Sequence, residues 1–204
     1  SGGTLAINND PTASALNPNQ AITQQAAAIY ANTVSRENLI RNPDFRIAQR
    51  GTSFITPANN SYTLDGWYVA DPAAFSVIRS SLAPSIQQAG IYTQYSIGLT
   101  VPATHAATGA SFKQNIEGYL IAPAVGQFLT LSFWAYAYQP GVYCVGFRDS
   151  ALSISYIQEY TILSSNIWQF FNLIFPMNYG SLGTWDYTNG NGLIISFAFD
   201  AGSV

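Results

Sequence analysis

Charged side chains are scarce in this 204-residue chain: seven Lys and Arg, ten Asp and Glu and one His, 8% charged against roughly 25% in ordinary soluble domains. The exterior must therefore be built mainly from Ser, Thr, Asn, Gln and Tyr. An isolated molecule with so thin an ionised surface is prone to self-association, so part of that surface is expected to be covered by partner subunits. The net charge of −3 and a pI near 4.8 leave no basic footprint for nucleic acid. One cysteine, Cys144, cannot close an internal disulfide, and one Cys with one His cannot assemble a zinc or iron–sulfur centre, so neither metal nor cofactor is expected. No run of about 18 apolar residues and no charged n-region leading into an apolar h-region occurs. Membrane insertion and a signal peptide are not expected, and release from the producing cell would be by assembly or lysis. No internal repeat of fixed period is present, which argues against a propeller or solenoid.

What the chain does contain is aromatic and apolar: 48% hydrophobic residues, with 13 Tyr, 12 Phe and 4 Trp. Disorder is excluded on that composition, and the length suits one sizeable β domain with an appendage. Residues 1–36 differ from the rest, being rich in Asn, Ala, Thr and Gln with Tyr30 as their lone aromatic. Asn17 as N-cap, Pro18 in the first turn and Ile22, Ala26, Ile29 and Thr33 at helical spacing predict a short helix in this tail. So thin an apolar stripe needs either the following domain or copies of itself to pack on; packing between copies in a trimer is favoured, with anchoring to another protein as the other role of the tail.

From Ile40 onward the dominant period is two. Leu129, Leu131, Phe133, Ala135 and Ala137 share one face of a strand, and Thr130, Ser132, Trp134, Tyr136 and Tyr138 share the other. Further strands are predicted over 75–80, 91–101, 111–117, 142–148, 153–162, 168–175 and 193–200. Turn signals at Gln139-Pro140-Gly141, Asp149-Ser150, Ser164-Ser165-Asn166 and Asn189-Gly190-Asn191-Gly192 separate the later ones. About eight strands without intervening helices predict an all-β fold, an antiparallel jelly-roll β-sandwich over 37–204 that follows the short helical tail.

Three of the seven basic residues, Arg41, Arg46 and Arg50, fall between Asn38 and Trp67 beside Asp44 and Asp65. Arg46, Arg50, Asp44 and Asp65 could hold a ligand carboxylate or sugar hydroxyls, but a structural ion-pair lattice tying the first strand to the loop ending at Trp67 is the favoured reading. The run Asn38-Leu-Ile-Arg-Asn-Pro-Asp-Phe-Arg-Ile-Ala-Gln-Arg-Gly-Thr-Ser-Phe54, followed by Tyr62-Thr-Leu-Asp-Gly-Trp67, resembles the opening of phage tail-fibre and virion appendage domains. The likeness continues in Phe112-Lys-Gln-Asn-Ile-Glu117, in Leu129-Thr-Leu-Ser-Phe-Trp-Ala135 and from Trp168, covering about residues 38–200. Such domains look like carbohydrate-binding-module jelly rolls. The resemblance implies a receptor-binding or structural role on a virus particle. It also implies one or two closing strands beyond Ala201-Gly-Ser-Val204, missing here or supplied from elsewhere. The start at Ser1 without an initiator Met reads as the interior of a longer fibre protein or a processed product.

For a binding site, the aromatic loop Tyr179-Gly-Ser-Leu-Gly-Thr-Trp-Asp-Tyr187 is the best candidate, with Tyr179, Trp185, Asp186, Tyr187 and Asn189 as ligand contacts, since loops on a rigid sandwich commonly carry binding. Trp134, Tyr136 and Tyr138 could form a sugar-stacking platform, but core or subunit interface is favoured for them. His105 lies in a small-residue loop without a nucleophile elbow, so no catalytic triad is assigned. Asp186 with Glu159 would be a glycosidase pair that no spacing singles out. Cys144 is expected to behave as a small buried hydrophobe. The leading expectation is a non-enzymatic virion protein (tail fibre, spike or capsid appendage) that forms a homotrimer and displays loops to host-surface glycan. It would join other virion proteins through residues 1–36. The alternatives are a scaffold or decoration protein without glycan binding and, third, a glycan hydrolase.

Overall fold

A computed structural model describes residues 38–70, 75–101, 109–124, 126–177 and 185–199. The expected helix within 1–36, His105 and Tyr179 lie outside the described residues. The chain divides into the units Ser1–Asn38 and Leu39–Val204, and the elements below belong to the second.

In chain order they are β1 (Ser53–Ile55), β2 (Trp67–Ala70), β3 (Ser76–Ser80), α1 (Ile86–Ala89), β4 (Ser96–Thr100), β5 (Ser111–Glu117) and α2 (Gly118–Ile121). A 3-10 turn (Ala122–Ala124), β6 (Phe128–Ala135), β7 (Gly141–Arg148), β8 (Ser155–Ile162), β9 (Gln169–Pro176) and β10 (Asn191–Ala198) follow. Every strand pairing is antiparallel. A five-stranded sheet has the order β2-β5-β10-β7-β8, and two smaller sheets have the orders β1-β3-β4 and β6-β9.

Alternation decides which faces are buried. In the five-stranded sheet Trp67, Val69, Phe112, Ile116, Leu193, Ile195, Val145, Phe147, Tyr160 and Ile162 all point inward. Against that one face lie both smaller sheets. Leu131 of β6 and Phe175 of β9 pack on the β5, β10, β7 and β8 residues, while Val77 of β3 packs on Trp67, Val69 and Phe112. Two parallel-stacked ring pairs mark the centres of these clusters: Phe147 on Phe175 at 3.8 Å between centroids, and Trp67 on Phe112 at 4.8 Å.

The predicted strand over 91–101 is shorter, beginning at Ser96. Before it the chain makes α1, whose Ser85 forms a capping box with Gln88 and whose end is closed by Gly90 at φ 72°. β1 and β2, of three and four residues, are too short to show alternation. Cys144 faces outward on β7 and is only half-buried, not a core residue, because its neighbours Val145 and Phe147 take the inward positions.

Candidate functional site

The segment between Asn38 and Trp67 is a knot of backbone capture. Asn42, at φ 50°, folds its side chain over the following turn: Oδ1 accepts from Ile47 N at 3.0 Å, and Nδ2 donates to the carbonyls of Ile47 and Asp65. Asp65 accepts from Gln49 N at 2.8 Å and pairs with Arg50 at 3.5 Å, while Arg46 and Asp44 pair at 2.6 Å. These ion pairs are exposed, so each is worth at most about 1 kcal/mol, and the backbone bonds carry more of the order. Gln114, which sequence reasoning missed, anchors the whole segment. Fully buried on β5, it accepts from Arg41 N at 2.7 Å and donates to Arg41 O at 2.8 Å, acting as a substitute strand edge. Its inward place in the alternation of Phe112 and Ile116 was the available signal.

The described end of the loop proposed for binding, residues 185–190, is held equally firmly. Gly118 N donates to Gly190 O at 2.9 Å and Tyr119 N to Thr188 O at 2.8 Å, so α2 and residues 188–190 form a short ladder. A Cβ on Gly118 would sit 2.2 Å from Asp186 O, and one on Gly192 would sit 2.4 Å from Gly118 Cα; both positions require glycine for close backbone approach. Asp186 Oδ1 accepts from Thr188 N at 2.7 Å and from Thr188 Oγ1 at 2.6 Å. These two bonds hold the carboxyl below its ordinary range. Trp185 packs against the larger core cluster, whereas Tyr187 and Asn189 are exposed, as is Tyr119 of α2. The structure thus brings Trp185, Asp186, Tyr187 and Asn189 together, with Trp185 and Asp186 turned to structural use. Glu159 is remote from Asp186: it stands level with Ala198 at the far end of β10, seven residues or about 23 Å from Asn191. That span exceeds the carboxylate separations of roughly 5 to 9.5 Å that glycoside hydrolysis uses.

The outward face of β6 and β9 carries no ionisable group. Its cross-strand rows are Phe128 with Pro176, Thr130 with Ile174, Ser132 with Asn172 and Trp134 with Phe170. Ring contacts continue the strip beyond the strands, from Trp134 and Phe170 at 5.4 Å to Tyr136 with Trp168 at 5.4 Å and Tyr138 at 5.7 Å. Phe128 is 71% exposed, Tyr138 79%, Phe170 54% and Ile174 53%.

The outward face of the five-stranded sheet has a different character. Across it run Tyr68, Lys113, Ser196, Gly146 and Ile157 in one row, and Asn115, Ile194, Arg148 and Ser155 in the next. Tyr68 donates to Asn115 Oδ1 at 3.0 Å and its ring lies 5.6 Å from that of Tyr62. Burial pushes the Tyr68 hydroxyl up to about 12, with Tyr62 adding to the rise and the nearby Arg148 guanidinium opposing it. Arg148 Nε donates to Ser155 Oγ at 3.0 Å, and Arg50 lies over the Tyr62 ring at 5.6 Å. No group of three or more metal-ligating side chains occurs among the described residues.

No family model matches the chain, and no curated protein is similar to it in sequence.

Proposed function

We propose that this chain is a structural domain of a virus particle, a jelly-roll sandwich from a tail fibre, spike or capsid appendage that assembles as a homotrimer and presents its 185–190 loop to host-surface glycan. Support for the jelly roll comes from the path of the chain, which changes sheet at every step from β1 to β10 except between β3 and β4 and between β7 and β8. The observation that carries the assembly is the uncharged outward face of β6 and β9. At roughly 200 Å² for a fully exposed aromatic, its four most exposed apolar side chains present about 500 Å². That equals the largest patch of a typical monomer, about 300–600 Å². With Trp134, Tyr136, Thr130, Ser132 and Asn172 included it approaches the ~800 Å² per partner of a specific interface. No Asp, Glu, Lys, Arg or His side chain would be buried when copies meet there.

Sedimentation equilibrium tests this: the chain is expected to run as a trimer of its 22.0 kDa subunit. The double variant Phe170→Asp, Ile174→Asp is expected to run as a folded monomer. A wild-type chain that stays monomeric at tens of micromolar would overturn the assembly. A second reading, a scaffold or decoration protein that binds no glycan, is favoured by the internal use of Asp186 and Trp185; it predicts blank glycan arrays and particles that fall apart without the chain.

A further inference from the structure

We propose that the outward face of the five-stranded sheet is a saccharide site selective for sugars bearing a carboxylate, with Arg148 gripping the carboxylate and Tyr62 and Tyr68 supporting the adjoining sugar unit. The inference rests on the attachment reading above and adds to the 185–190 loop a second contact, on the sheet.

Arg148 is the basis. Arg41 has Glu117 at 3.8 Å, Arg46 has Asp44 and Arg50 has Asp65, yet among the described residues no carboxylate lies within ion-pair range of Arg148. Its sequence neighbour Asp149 is fully buried, with one carboxylate oxygen accepting from Ser153 N and Ile154 N and the other from Ser153 Oγ. Arg148 is therefore a half-buried cation, steered by a single bond from Nε to Ser155, whose terminal nitrogens keep their paired donors. A planar guanidinium fixed at Nε and free at its fork suits two parallel bonds to a carboxylate. Among the described residues Arg79 also lacks a carboxylate, but its guanidinium donates to Arg46 O and lies over the Tyr95 ring, whereas Arg148 is engaged only through Nε.

The surroundings match a sugar better than a bare anion. Ile194 faces outward between Asn115 and Arg148 and is itself buried, so a sugar would rest on the side chains that flank it and not on Ile194. Asn115 and Arg148 sit two strands apart, about 10 Å, and Tyr62, bridged to Tyr68 beyond β2, stands about two spacings further, a span that suits two linked sugar units. On one side the ring of Tyr62, 46% exposed, offers a face for sugar C–H bonds. Tyr68 stays a neutral hydroxyl at every physiological pH, and its bond to Asn115 Oδ1 leaves Asn115 Nδ2 for a sugar oxygen. The strand-borne positions require no loop to close.

Isothermal titration with sialyllactose and a glucuronate-containing oligosaccharide, each beside a neutral counterpart such as lactose, tests the proposal. The acidic sugars are expected to bind more tightly by roughly ten- to a hundredfold, the range of a hydrogen-bonded charge. Arg148→Met keeps an apolar stem at the position beside Ile194 and should erase that preference. Tyr62→Ala, at an exposed position that does not threaten folding, should weaken acidic sugars at least several-fold. Equal binding of acidic and neutral sugars, or a preference that survives Arg148→Met, overturns the proposal. Neutral sugars bound only through Tyr187, and lost in Tyr187→Ala, would remove this site while leaving the attachment reading standing; no binding of any saccharide would remove both.

Discussion

Replacing Gln114 by Ala should cost about 3–5 kcal/mol, although both of its bonds are to backbone groups and the change removes no charge. The magnitude follows from two bonds. Gln114 is fully buried and accepts from Arg41 N at 2.7 Å while donating to Arg41 O at 2.8 Å, so the Ala variant leaves a donor and an acceptor without partners. Each orphaned group costs about 1–3 kcal/mol, and the space vacated by the amide adds a cavity term. Against a total stability of about 5–15 kcal/mol this is a large fraction. Urea denaturation followed by Trp fluorescence measures it as a lower midpoint at constant slope. The partner variant Gln114→Glu identifies the mechanism. Its carboxylate can still accept from Arg41 N but meets the Arg41 carbonyl with no proton, so its folded-state pKa should rise. Destabilisation would then be full at neutral pH and relieved as pH falls through that raised value, where the protonated acid donates again. A loss below about 1 kcal/mol in the Ala variant, or a Glu variant indifferent to pH, would refute the view that this pair fastens residues 39–42 to the sheet.

Two further outcomes concern the loop. Gly118→Ala would stabilise an ordinary helix by about 1 kcal/mol, but its Cβ would lie 2.2 Å from Asp186 O, so a loss of roughly 1–3 kcal/mol and faster amide exchange at Tyr119 and Gly118 are expected. Thermal melts of Asp186→Asn against wild type should differ most at neutral pH. Because the two Thr188 bonds lower the folded carboxyl, its contribution is present above the unfolded value and disappears as pH falls through the folded one, so the two melts should converge below about pH 4. A gap that persists under acid would show that the carboxylate form is not what the loop uses.

Much of the architecture was legible in the order of residues. The alternations in 129–137 and 193–199 place Leu131, Leu193 and Ile195 inward on long strands, and a period of two over eight residues survives almost any local accident. Capping chemistry was also written locally: Ser85 with Gln88, and Asp186 with Thr188, bond within three residues of one another. Contacts that depend on distant partners were not. The bonds of Gln114 reach across 73 positions, and those of Tyr68 to Asn115 across 47.

Composition and periodicity by themselves determined that this chain makes antiparallel strands with little charge outside, because a side chain's alternation along its own strand needs no knowledge of the rest. Only the tertiary structure decided which of two apolar faces of β6 and β9 is buried, that Asp186 is spent on its own loop, and that Arg148 shares an outward face with Tyr68 and meets no carboxylate among the described residues. Those outcomes depend on which strands become neighbours, and strand order is set by the summed packing of the sandwich, not by any segment within it.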